Sequence, residues 1–145
     1  MKETILKLRK IYFAAFALLV IIAGITYILK NVMNSPNYDD IYQKINMGVM
    51  ILLLVLILIA EFYYSYLGKK SKELDDDEKQ LKLYFNATII KLALIEAAGI
   101  ISAIMFFLKN KNTYLYMIGI ILIFTLIYLP SELRFKKDFK SRIFE

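Results

Sequence analysis

The stretch IYFAAFALLVIIAGITYIL, Ile11 to Leu29, runs nineteen residues without a charge. A bilayer's hydrocarbon core is about 30 Å thick, and a helix needs roughly twenty apolar residues to cross it. The run exceeds the usual apolar region of a signal peptide, and no A-x-A-like cleavage site follows before KNVMNSPNYDD. It therefore reads as a retained membrane span over about 11–29.

Three further apolar runs lie downstream, over about 47–67, 84–108 and 113–130. The second ends in a tyrosine cluster, Tyr63, Tyr64 and Tyr66, as expected of an aromatic belt at a membrane interface. The fourth opens and closes with aromatics and stops at Pro130. Backbone groups in lipid need internal partners, so each run is expected to be a helix. The alternation of a transmembrane β-strand is absent. The expectation is an all-α membrane protein with four transmembrane helices in an antiparallel up-down bundle, forming a single domain over 1–145.

Lysine and arginine give the direction. Lys2, Lys7, Arg9 and Lys10 precede the first run, and Lys69, Lys70, Lys72, Lys79 and Lys82 lie between the second and third. Arg134, Lys136, Lys137, Lys140 and Arg142 follow the fourth. These fourteen residues share one side of a four-span protein, against Lys30, Lys44, Lys109 and Lys111 on the other. Both termini are expected on the cytoplasmic side of a cell inner membrane.

The chain of 145 residues is 59% hydrophobic, with a mean hydropathy of +0.56 and a net charge of +6. The basic residues flank apolar runs and form no continuous basic face, which points to anionic lipid head groups at the cytoplasmic face and not to nucleic acid. There is no cysteine and no histidine. That excludes disulfides, thiolate chemistry, a Ser-His-Asp triad, a zinc hydrolase and His-ligated haem. No metal or cofactor is expected, and no catalytic residue is assigned.

In the connecting segments, Asp39 or Asp40 can cap the second helix. The acids Asp75, Asp76, Asp77 and Glu78 lack EF-hand spacing and a turn glycine, so they read as a solvated turn that stabilises the next helix N-terminus. Beyond Pro130, Ser131 can cap a short helix, and Phe135, Phe139 and Ile143 recur every four residues among basic side chains. Two readings of this tail, 131–145, stay open: an amphipathic helix lying on the inner leaflet, or a disordered basic tail.

Three charges interrupt the apolar runs: Glu61, Lys91 and Glu96. If the second and third helices form a hairpin centred near residue 76, Glu61 and Lys91 share a depth. An ion pair between them is the expected arrangement, since charges at such depth pair or face a cavity. Glu96 lies about 140° around the helix from Lys91, near the bilayer centre, where desolvation favours the neutral carboxyl. Small residues surround it: Ala93, Ala97, Ala98, Gly99, Ser102 and Ala103. Ala93/Ala97 and Gly99/Ala103 have the spacing of a close helix-packing face. Glu96 is thus either a carboxyl that binds a proton or ion during work, or a neutral acid hydrogen-bonding between helices.

The stretch IIKLALIEAAGIISAIMFFL resembles the second helix of the ATP-synthase c subunit, the rotor proteolipid, whose ion-carrying carboxylate sits in a similar A-L-x-E-A context. The resemblance implies that Glu96 is the ion-binding acid. Its partner here, INMGVMILLLVLILIA, contains a single glycine, Gly48, where the proteolipid helix is glycine-rich. More broadly, four spans, a lysine-rich central loop, the A-L-x-E third helix and the closing Pro130, Ser131 and Asp138 look like a group of small bacterial inner-membrane proteins with no assigned activity.

The leading functional expectation is a non-enzymatic structural or accessory membrane protein. It would assemble through the small-residue face of the third helix into a homo-oligomer or a larger membrane complex. The alternative is a proton- or ion-translocating module built on Glu96. An enzyme acting on membrane substrates has least support.

Overall fold

A computed structural model describes residues 1–33, 43–109 and 111–140. Five helices account for nearly all of them: α1 (Lys2–Met33), α2 (Gln43–Lys72), α3 (Asp77–Lys109), α4 (Asn112–Ile127) and α5 (Glu132–Phe139). There is no strand among the described residues. Helices α1, α2 and α3 hold 32, 30 and 33 residues, about 45–50 Å at ~1.5 Å per residue. All three are long and apolar enough to cross a membrane. Asp39, Asp40 and Ile143 lie outside the described residues.

The fourth apolar run behaves differently from a straight span over 113–130. Helix α4 has 16 residues, about 24 Å, and the chain then turns by 88° into α5. Only if this bent pair is taken as one element does a fourth crossing exist. The cause is local. Pro130 disfavours helical geometry at the residue before it, and Ser131 starts a new helix by accepting a hydrogen bond from the Arg134 N–H at 3.2 Å.

Helix α3 forms the centre of the molecule. Of its most apolar window, 56% is buried inside the protein, against 11% for those of α1 and α2. It packs against α1, α2 and α4 along its length and against α5 near its start. One apolar cluster joins Leu19 of α1, Leu53 of α2, Ile95 and Phe106 of α3, and Ile118 and Ile121 of α4. The outer faces of α1 and α2 expose Ile21, Ile28, Leu58 and Phe62. So large an apolar surface would be anomalous in water and is ordinary against lipid.

Around the α2–α3 turn, Gln80 Nε2 donates to the carbonyls of Ser71 (3.2 Å) and Leu74 (2.5 Å). Asp76 Oδ1 accepts from the N–H groups of Glu78 (2.9 Å) and Lys79 (3.4 Å), capping α3. Those donors hold the Asp76 carboxyl below the usual carboxylate range.

The tail corrects one expectation. Helix α5 does form, but Phe135 and Phe139 point into the protein instead of lying along a leaflet. They join Ile5, Leu8, Leu67, Tyr84 and Ala87 in a second buried cluster. Tyr84 meets both rings at centroid distances of 5.3 and 5.1 Å. An aromatic surface already present on α2 and α3 covers this apolar face, so lipid does not have to.

Candidate functional site

Glu61 lies on α2 eleven residues before Lys72, and Lys91 lies on α3 fourteen residues after Asp77. Contacts across the turn pair Ser71 with Gln80, so the helices run in opposite directions and bring Glu61 level with Lys91. Lys91 Nζ sits 2.8 Å from Glu61 Oε1. Among the described residues neither atom has a further polar partner, so the two charges depend on each other. The two ends differ in exposure: the Lys91 side chain is 2% exposed and that of Glu61 35%. Two aromatic faces enclose the ammonium, with ring centroids at 3.6 Å for Tyr128 and 4.5 Å for Tyr64. Such rings attract a cation through their quadrupole.

This pair forms the floor of an open cavity of about 310 Å³. Helix α2 lines one wall with Ser65, Gly68, Lys69 and Lys72, and α5 contributes Asp138. Tyr64 donates its hydroxyl to Asp138 Oδ2 at 3.2 Å. Gly68 is needed for this closure, since a Cβ there would lie 2.8 Å from the backbone oxygen of Asp138. Ser71 Oγ donates to the Phe139 carbonyl at 2.9 Å, and Lys140 meets Asp77 at 3.2 Å. Helix α5 is thus fastened along one side of the cavity.

Sequence reasoning missed Asp138, Tyr128, Lys69 and Lys72 as parts of one site. A signal for the α2 wall was present. Glu61, Ser65, Gly68 and Lys72 recur at i, i+4, i+7 and i+11, one helix face of polar or small residues. Asp138 stands out only in the closing Pro130, Ser131 and Asp138 pattern and Tyr128 only as a closing aromatic, and neither pattern ties them to α2.

Glu96 lies apart from this cavity. Its carboxyl is half-buried, and Oε1 has no hydrogen-bond partner among the described residues. The surrounding small residues divide. Gly99 packs against Leu19 of α1, and a Cβ on it would come within 2.7 Å of that side chain. Ala98, Ser102 and Ala103 are buried, Ala97 is half-buried, and Ala93 faces outward. Ser102 Oγ returns its hydrogen bond to the Ala98 carbonyl at 2.8 Å. The close helix neighbour at Gly99 is therefore α1 of the same chain. Among the described residues, no three acidic, histidine or cysteine side chains converge to hold a metal.

The chain matches no family model, no curated protein and no solved structure. Function has to be read from these residues.

Proposed function

We propose that the chain is a multi-pass protein of a cell inner membrane, with four crossings and both termini cytoplasmic, and that its role is structural or accessory, not enzymatic. The observation that carries this reading is the use of its intramembrane charges. Lys91 and Glu61 pair with each other and with tyrosine rings, fixing α2 to α3 at the end of the molecule where α5 docks. That end also carries most of the basic residues, so it faces the cytoplasm. Partners are the bilayer, its anionic head groups and a second copy or a larger membrane complex. Of the small-residue face of α3, Gly99, Ser102 and Ala103 are buried within the chain, which leaves Ala93 and half-buried Ala97 to meet such a partner.

A second reading, proton or ion movement through Glu96, is favoured by the buried Oε1 that has no hydrogen-bond partner among the described residues. Infrared titration of the carboxyl band in a bilayer, referenced to Glu96→Gln, separates the two. A band that stays protonated from roughly pH 5 to 9 fits a sealed structural carboxyl. A band that titrates in this window makes translocation the better reading. Orientation is tested independently. The chain has no cysteine, so single cysteines at Lys70 and Lys111 report on opposite faces. Equal labelling from one side overturns the four-span topology.

A further inference from the structure

The cavity over Lys91 has unused binding capacity. An ammonium carries three N–H donors, yet among the described residues the Glu61 carboxylate at 2.8 Å is the one acceptor that meets the enclosed Lys91 Nζ. Two ring faces cover much of the rest of it. Above it, Lys69 and Lys72 line the same cavity and make no ion pair or hydrogen bond with any described residue. The two acids present are already engaged, Glu61 by Lys91 and Asp138 by the Tyr64 hydroxyl. Three lysines against two acids leave the lining with an excess positive charge.

We propose that this cavity binds a phosphate-bearing group, held by Lys69 and Lys72 at the rim with an oxygen directed toward Lys91. Lysine recognises phosphate as a point charge, and contacts to an ionised acceptor are the stronger kind of hydrogen bond. From Glu61 to Lys72 the α2 wall rises eleven residues, about 16 Å, which on the four-span reading runs from within the hydrocarbon to the cytoplasmic head-group level. The volume stands at the small end of ligand sites, which span ~300–1,000 Å³. It suits a phosphodiester head group or free phosphate and leaves acyl chains outside. Asp138 works against an anion here, so its removal should tighten binding. The inference rests on the membrane reading above, because that reading brings head groups to the rim.

The test uses the full chain in nanodiscs of digalactosyldiacylglycerol, which carries no phosphate, with increasing phosphatidylglycerol in one arm and inorganic phosphate in the other. Retained lipid is counted by native mass spectrometry and bound phosphate by phosphorus NMR. The double variant Lys69→Gln/Lys72→Gln should weaken saturable binding roughly tenfold, the scale of losing two solvent-screened charge contacts at an open rim. A matched control outside the cavity, Lys70→Gln/Lys82→Gln, should change it by less than about twofold. Asp138→Asn should strengthen it by roughly threefold. Binding confined to phosphatidylglycerol assigns the ligand to lipid, and saturable binding of inorganic phosphate assigns it to a soluble source. Equal losses in both lysine pairs would mean diffuse surface attraction and overturn the site, as would the lack of any saturable binding. A chain released from vesicles by alkaline carbonate would defeat the membrane reading itself. One that stays inserted yet binds neither phosphate source defeats only this inference.

Discussion

Glu61 and Glu96 are carboxylates on neighbouring helices of one apolar protein, and the fold treats them in opposite ways. Glu61 lies 2.8 Å from a lysine and opens toward a polar cavity. Glu96 has a buried oxygen without a hydrogen-bond partner among the described residues and lies beside the packing of α1 on α3. The difference shows two ways of keeping an acid where a bare charge is costly. One is to retain the charge and supply a counter-ion near water. The other packs helices around the acid, and a carboxyl that is neutral there would resemble a small polar group in a helix interface.

Breaking the paired acid should have the largest effect. Lys91→Met removes the counter-ion and leaves Glu61 at the cavity floor. The cost should be about 3 kcal/mol, near the low end for a broken buried pair because Glu61 is 35% exposed. Unfolding in mixed micelles measures it. Replacing both partners, Lys91→Met with Glu61→Leu, should recover most of the loss, since an apolar pair of similar volume leaves no stranded charge. If the double variant is as unstable as the single one, the pair is not what holds α2 to α3.

Two glycines extend the comparison to close packing at each carboxylate's end of the bundle. At Gly68 an added Cβ would lie 2.8 Å from the backbone oxygen of Asp138, which can yield only if α5 shifts. Gly68→Ala should therefore cost about 1–2 kcal/mol and loosen α5, seen as faster proteolysis after Ser131. At Gly99 the added atom meets the two terminal methyl groups of Leu19, at 2.7 and 2.8 Å. A side-chain tip can rotate away, and alanine is the better helix former by up to about 1 kcal/mol, so Gly99→Ala should be close to neutral. Equal costs at the two positions would mean that α5 is not held by its backbone approach at Gly68.

These contrasts were unevenly legible in the sequence. The helices follow from long apolar runs interrupted by three charges only, and the depth match of Glu61 and Lys91 follows from counting residues away from the turn. The role of α5 does not follow. Spacing between Phe135 and Phe139 marks an apolar face without saying what covers it, and lipid was the simplest cover for a basic tail. The cover is Tyr84 and the second cluster, whose residues are up to 134 positions apart, from Ile5 to Phe139. Likewise the small residues near Glu96 announce close packing, but whether α1 or another copy fills it depends on how the helices are arranged around α3.

Glu96→Gln gives a sharper version of the opening contrast. A neutral carboxyl and an amide both donate and accept, so the substitution should change stability by less than about 1 kcal/mol. A much larger loss in mixed micelles would show that Glu96 works as an anion, and the contrast with Glu61 would collapse.

The smallest expected effect concerns a third carboxylate, held at the surface by two backbone N–H groups and an exposed ion pair with Lys79 at 3.5 Å. Asp76 is exposed on the α2–α3 turn, and the N–H groups of Glu78 and Lys79 stabilise its charged form. Its folded pKa is therefore below that of the unfolded chain, about 3.9 for a free aspartate. The unfolded state binds the proton more readily, so this stabilisation is present above about pH 4 and is lost as pH falls through the lower, folded value. Asp76→Asn keeps a cap oxygen but cannot titrate. At pH 7 the natural chain should be the more stable of the two, and toward pH 3 the gap should narrow. Measuring the difference between the two chains at each pH cancels the other acids, which titrate in both. A gap that does not change with pH would mean that Asp76 caps α3 through geometry alone, with no contribution from its charge.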